Sequence, residues 1–203
     1  MNRQQNDLQH IRQMMERSST FLSLSGLSGI GAGIFALLGC AAGFYILHEH
    51  QIDYFDGKPN VYTSKVTYQI AAVALLTLVL SLASAIYFTV KKSKRLQLPL
   101  WSLPTKNILK AGMIPLVAGG IFCIILTINY VFYLVAPCML IFYGLALTSA
   151  AKYTNDDIFW LGICQLTLGL VAAVIPGYGL VFWGIGFGLL HIAYGWYMFK
   201  KYQ

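Results

Sequence analysis

The sequence predicts an all-α, polytopic membrane protein with six transmembrane helices. Six apolar stretches fill most of the 203 residues, and each is long enough to cross a hydrocarbon core of roughly 30 Å as a helix. Charged residues make up only 10% of the chain, against about 25% in ordinary soluble domains. Most lysines and arginines lie on alternate connections between the apolar stretches, as expected of a chain that crosses a membrane repeatedly.

The hydropathy pattern divides the chain into a polar lead-in, one six-helix domain and a short tail. The lead-in covers residues 1–20, the transmembrane domain covers residues 21–199, and the tail covers residues 200–203. Short connections make spans 3 and 4, and spans 5 and 6, antiparallel hairpins. The predicted spans are 21–47, 66–90, 111–128, 131–151, 158–175 and 179–199.

The lead-in is predicted to form a short amphipathic helix. Leu8, Ile11, Met14 and Met15 share one helical face. The segment is too polar for a cleavable signal peptide. A face this narrow favours a solvated approach to span 1, and the alternative is an interfacial helix that docks a partner or senses lipid.

The basic residues predict the orientation of the helices. Of the 14 lysines and arginines, 12 lie in the lead-in, the second loop, the fourth connection or the tail, whereas the opposite side has only Lys58 and Lys65. By the positive-inside rule both termini are cytoplasmic. The net charge of +7 therefore indicates a lipid bilayer with anionic headgroups rather than nucleic acid. The predicted headgroup-binding residues are Lys91, Lys92, Lys94 and Arg95.

Small residues recur every four positions in span 1 and again in span 6. This spacing places them in a strip along one side of a helix, where backbones can approach closely. We predict packing inside the bundle, and the alternative is a homo-oligomer or a membrane-protein partner docked through span 1. The predicted helix-packing residues are Ser25, Gly29, Gly33, Gly39 and Gly43 in span 1, with Gly184 and Gly188 in span 6.

The same region carries a resemblance. The string MMERSSTFLSLSGLSG at residues 14–29, followed by AGIFALLG at residues 32–39, resembles the opening of an uncharacterised family of small bacterial multi-pass inner-membrane proteins. The resemblance is close over roughly the first fifth of the chain, mainly in residues 14–39. It implies a bacterial cytoplasmic membrane and no catalytic activity.

A second string resembles a catalytic motif. Gly26-Leu-Ser28-Gly29 is similar to the Gly-x-Ser-Gly nucleophile motif of rhomboid intramembrane proteases, which also have six spans and a histidine on the last one, here His191. At 1.5 Å per residue, Ser28 and His191 both lie roughly 10–12 Å from the cytoplasmic border. The serine is on the first span rather than the fourth, so an intramembrane serine protease is a remote alternative.

His191 is the only histidine, lysine, arginine or carboxylate within a predicted span. Such a residue either marks a functional site or bonds a neighbouring helix, here through Gln165, Thr167 or Thr148. The functional interpretation is a ligand pocket formed by Pro137, Gln165 and His191, with Pro137 kinking span 4. That pocket would belong to a permease-like subunit that binds a small molecule or lipid. Ion-coupled transport is disfavoured because the spans lack carboxylates.

The remaining polar patterns predict no metal and no cofactor. His48, Glu49, His50, Asp53 and Asp56 carry suitable ligand atoms, but their spacing matches no known site and favours a solvated loop. The four cysteines form no CxxC pair. The sequence therefore favours a non-enzymatic accessory, scaffolding or sensing subunit that acts through helix packing.

Overall fold

The computed structural model describes residues 25–52, 62–97, 99–154 and 156–202. Within these ranges every regular element is helical, and six helices are long and apolar enough to cross a membrane. The predicted all-α architecture with six membrane-length helices is confirmed. The predicted amphipathic helix of residues 1–20 lies outside the described residues.

Six long helices follow one another along the described parts of the chain. Helix α1 spans Gly26–Glu49, α2 spans Ser64–Arg95 and α3 spans Leu103–Ile128. A 3-10 turn at Phe132–Leu134 leads into α4 at Val135–Ala151, and α5 spans Asp156–Val174. The sixth helix, α6, has three consecutive segments: an α-helical Gly179–Trp183, a π-helical Gly184–Leu190 and an α-helical His191–Tyr202.

Helix α3 begins eight residues before the predicted span. Ser102 caps it, because its hydroxyl oxygen accepts a hydrogen bond from the backbone N–H of Thr105 at 3.4 Å. Pro104 fits in the first turn, where no backbone N–H is needed. Lys106 and Lys110, expected in the loop, therefore lie on the first turns of α3.

The prolines of spans 3 and 4 lie at different positions in their helices. Pro115 lies inside α3. Pro137 is the third residue of α4, which starts at Val135, and a first-turn proline removes no intrahelical hydrogen bond. Pro137 therefore lies where the 3-10 turn of Phe132–Leu134 passes into α4, and the kink expected at this position stays a prediction.

The helices pack in a row with α6 near its centre. Helix α2 packs on α1, α1 packs on α6, the first two segments of α6 contact α4 and α5, and α4 also packs on α5 and α3. Helices α2 and α3 are consecutive in sequence but stand at opposite ends of the row. In the most apolar stretch of each helix, only 6% of residues are buried in α2 and 11% in α3, against 33% in α1.

Candidate functional site

The contact between α1 and α6 is built from glycines on both helices. A Cβ atom added to Gly33 would lie 2.7 Å from the carbonyl oxygen of Gly188, and one added to Gly195 would lie 2.6 Å from that of Gly26. Around Gly29 the gap is slightly wider, with the Cα of Gly195 at 3.1 Å. Because backbone faces backbone along this line, larger side chains do not fit, and dispersion contacts hold the helices together.

The other predicted packing residues divide between two neighbours of α1. A Cβ at Gly184 would lie 2.8 Å from Cys40 Sγ, and one at Gly43 would lie 3.2 Å from Leu180 Cδ2, so both belong to the α1–α6 contact. Gly188 also lies there, against Leu37 of α1. Gly39 instead faces Thr77 of α2.

Ser25 is buried, immediately before α1 begins. Gly26 and Gly195, at the closest approach of α1 and α6, fall outside the four-residue spacing and were not among the predicted helix-packing residues. The face of α1 at Gly29 and Gly33 is covered by α6, so it is not open to a second molecule.

A buried polar network joins α4, α5 and α6 at the π-helical segment. The carbonyl oxygen of Gly186 accepts hydrogen bonds from Gln165 Nε2 at 2.8 Å and from His191 Nδ1 at 2.9 Å. Because that carbonyl only accepts, Nδ1 carries the proton and Nε2 of the neutral ring is an acceptor. The hydroxyl of Tyr143 then donates to His191 Nε2 at 2.8 Å.

The π-helical segment supplies the carbonyl group at the centre of this network. A π-helix widens the backbone turn and displaces carbonyls from their usual partners, and it often marks a functional position. Here two side chains from different helices satisfy one such carbonyl, that of Gly186. A Cβ added at 186 would meet Leu140 Cδ2 and lie 2.6 Å from Gln165 Oε1, so glycine leaves room for both side chains. The network therefore fixes how α6 sits against α4 and α5.

The network is closely packed rather than hollow. Gln165 is 0% exposed and His191 is 7% exposed. Among the described residues Gln165 Oε1 has no hydrogen-bond partner, but it lies against Gly186. Pro137 is buried six residues before Tyr143, about 9 Å along the axis of α4. Of the three predicted pocket residues, the structure brings Gln165 and His191 together and leaves Pro137 on a different turn.

Sequence reasoning missed Tyr143. Its position in the middle of span 4 was the available signal, since a tyrosine hydroxyl at that depth must find a partner. Of the three partners expected for His191, Gln165 is close and shares Gly186 with it. Thr148 instead donates to the carbonyls of its own helix, at Gly144 and Leu145.

The serine of the protease-like string is used locally. Ser28 is buried and its hydroxyl donates to the carbonyl oxygen of Ser25. The two ring nitrogens of His191 bond Tyr143 and Gly186 instead. Among the described residues these bonds leave Ser28 without the adjacent base that a serine nucleophile needs.

A separate groove of about 230 Å³ lies between α5 and the last segment of α6. Its walls are mainly apolar and aromatic, and it ends at an ion pair between Asp157 and Lys201, 2.9 Å apart. None of the predicted pocket residues lines it. The lining residues are Asp157, Trp160, Leu161, Cys164, Leu190, Ala193, Tyr194 and Tyr197.

The predicted headgroup-binding residues form the end of α2. Lys91, Lys94 and Arg95 are exposed, whereas Lys92 is only 5% exposed and does not share their surface. Just after α1, His50 Nε2 lies 2.9 Å from Oε1 of Gln69 on α2. The described part of the chain holds no group of three or more metal ligands, and Asp53 and Asp56 lie outside it.

No family model matches the chain, and neither a curated protein nor a solved structure is detectably similar to it. Membership of the bacterial family suggested by residues 14–39 stays a prediction. The six long apolar helices nevertheless indicate a multi-pass membrane protein.

Proposed function

We propose that this chain is a non-enzymatic, multi-pass protein of the bacterial cytoplasmic membrane. It acts as an accessory, scaffolding or sensing subunit through the surfaces of its helices. One observation carries the proposal: the polar groups that chemistry would need are already bonded inside the bundle. Ser28 donates to Ser25, and both ring nitrogens of His191 are engaged.

The close packing around His191 argues against a permease-like subunit whose ligand pocket is formed by Pro137, Gln165 and His191. Ligand pockets are typically concave sites of about 300 Å³ or more with a few convergent polar groups. Gln165 and His191 are buried and bond protein atoms, with Leu140 and Gln165 filling the space beside Gly186. A ligand would have to displace these contacts to bind there.

The burial pattern favours α2 or α3 over α1 as the helix that contacts a partner. The glycine strip of α1 is occupied by α6, whereas α2 and α3 present large exposed apolar side chains such as Leu78, Ile86, Ile114 and Ile121. Exposed apolar surface of this kind meets lipid or another transmembrane helix. These exposed side chains support an accessory or scaffolding contact on the two peripheral helices.

Site-specific photo-crosslinking tests the contact. A photoreactive amino acid placed at Leu78 of α2 or Ile121 of α3 should give a protein adduct of discrete mass in intact membranes. Val174 of α5 is 80% exposed and is the matched control, where only lipid adducts are expected. Lipid adducts alone at all three positions, with normal expression, would contradict a scaffolding role.

The orientation proposal rests on charge. Exposed Lys91, Lys94 and Arg95 end α2, and Lys200 and Lys201 end α6. Both ends fall on the side that the positive-inside rule assigns to the cytoplasm, beside anionic headgroups.

Cysteine labelling of intact cells tests this orientation. Glu49→Cys, at the exposed end of α1, should react with a membrane-impermeant maleimide, whereas Lys94→Cys should react only after the cells are lysed. The unsubstituted protein measures the background from the four native cysteines. Labelling of Lys94→Cys from outside would reverse the topology.

A further inference from the structure

The groove between α5 and α6 exists because the two ends of α6 have different neighbours. The last segment, His191–Tyr202, packs against α1, whereas α5 runs along α4. The two helices therefore separate over this half and leave about 230 Å³ between them. Here the groove opens sideways, toward the hydrocarbon of a surrounding bilayer.

The chemistry of the groove changes along its length. Leu161, Leu190 and Ala193 form apolar walls. Trp160 and Tyr197 stand at its rim, exposed, as aromatic side chains do at a membrane interface. Such walls give water few hydrogen bonds, so hydrocarbon is the favoured occupant. A whole helix, about 10 Å across, is too wide for this volume.

The polar end of the groove carries three lysines and two aspartates. Lys152, Lys200, Lys201, Asp156 and Asp157 share this end of the bundle, because α4 and α6 end where α5 begins. Asp157 binds Lys201 through both carboxylate oxygens, at 2.9 and 3.1 Å. The ammonium groups of Lys200 and Lys201 lie 5.3 and 5.2 Å from the ring centroids of Trp196 and Tyr197. Both lysines are therefore ordered in the last turn of α6, next to Tyr197, which lines the groove.

We propose that this groove binds an anionic phospholipid, with an acyl chain between α5 and α6 and the headgroup phosphate at Lys200 and Lys201. Basic sites between transmembrane helices on the cytoplasmic side bind anionic headgroups, and the apolar walls accept the chain. The site goes beyond the proposed function and does not depend on it, because a bound lipid is compatible with any role of α2 and α3.

Protection of Cys164 tests the site in the unsubstituted protein. Cys164 is exposed and lines the groove, whereas Cys123, partly buried on α3, is remote from it and acts as an internal control. Purified protein in mild detergent is alkylated with N-ethylmaleimide during a titration of phosphatidylglycerol, and each site is followed by peptide mass spectrometry.

A bound lipid should slow modification of Cys164 by the factor 1 + [L]/Kd, about tenfold at ten times Kd, with Cys123 unaffected. Equal slowing at both cysteines, or none at Cys164, would overturn the proposal. Equal protection by phosphatidylcholine would also contradict the preference for an anionic headgroup.

A matched pair of substitutions tests the same site independently. Ala193→Phe fills the groove, whereas Ala72→Phe adds the same ring to an exposed position on α2. Ala193→Phe should abolish the rise in Tm that phosphatidylglycerol produces, and Ala72→Phe should retain it. Lys200→Gln should weaken the rise and leave the Tm without lipid unchanged. An undiminished rise in the Ala193→Phe protein would place the lipid elsewhere.

Discussion

Helices α1 and α2 have similar apolar character and pack against each other, yet their positions in the bundle differ. In the most apolar stretch of each, 33% of the residues of α1 are buried and only 6% of those of α2. Helix α1 contains six glycines and α2 contains none. Lipid solvates both helices equally well, so hydrophobicity cannot select the central one. Close backbone approach can, and it requires small residues.

The two sides of α1 use glycine differently. Toward α6, glycines of both helices meet, and backbone atoms set the distance. Toward α2, Gly31 and Gly39 instead receive the side chains of Ser84 and Thr77. A side chain can rotate or shift, whereas a helix backbone moves only as a unit. The α1–α6 contact should therefore tolerate substitution less well.

The largest effect should come from Gly33→Leu. Its Cβ would lie 2.7 Å from the Gly188 carbonyl oxygen, so α1 and α6 must separate. Overpacking of this kind costs about 3 kcal/mol or more. Gly120→Leu on α3 is the control, because an added Cβ there meets nothing within 4 Å. Gel filtration and unfolding in mild detergent should show aggregation or lost stability for Gly33→Leu alone; equal behaviour would remove the distinction between centre and periphery.

A smaller loss is expected for His191→Leu. The substitution removes the acceptor of the Tyr143 hydroxyl, and a buried unsatisfied polar group costs about 1–3 kcal/mol. Tyr143→Phe removes the same bond from the other side. The double substitution should cost less than the sum of the two, because both break one shared interaction. Strict additivity in unfolding free energy would show that the two side chains are not coupled.

The smallest effect should separate the two glycines that face α2. Gly39→Ala meets Thr77, a β-branched and buried side chain with restricted rotamers, and should destabilise by about 1–2 kcal/mol. Gly31→Ala meets mainly the hydroxyl of Ser84, which can rotate away, and should cost less. Thermal unfolding of the two variants under identical detergent conditions gives the comparison, and a reversed order would mean that Ser84 is the more rigidly held.

Several features of the fold follow from local sequence. The length and apolarity of the six stretches require helices, because a backbone in lipid has to satisfy its own hydrogen bonds. The glycine spacing of spans 1 and 6 marked two helices whose backbones approach closely. Helix starts were harder to predict: the cap at Ser102 and the first-turn position of Pro137 depend on backbone geometry, which hydropathy does not report.

Tertiary structure alone decided which polar groups meet. The sequence named Gln165 as a possible partner of His191, but their meeting with Tyr143 depends on how α4, α5 and α6 are rotated about their axes. The rotation of α1 about its own axis likewise turns Gly39 toward α2 while Gly33 faces α6. Composition and periodicity determine that a segment is a membrane helix, because that is a property of the segment and its solvent. Shape complementarity between helices distant in sequence decides which face of a helix meets which neighbour. That complementarity exists only in the folded bundle.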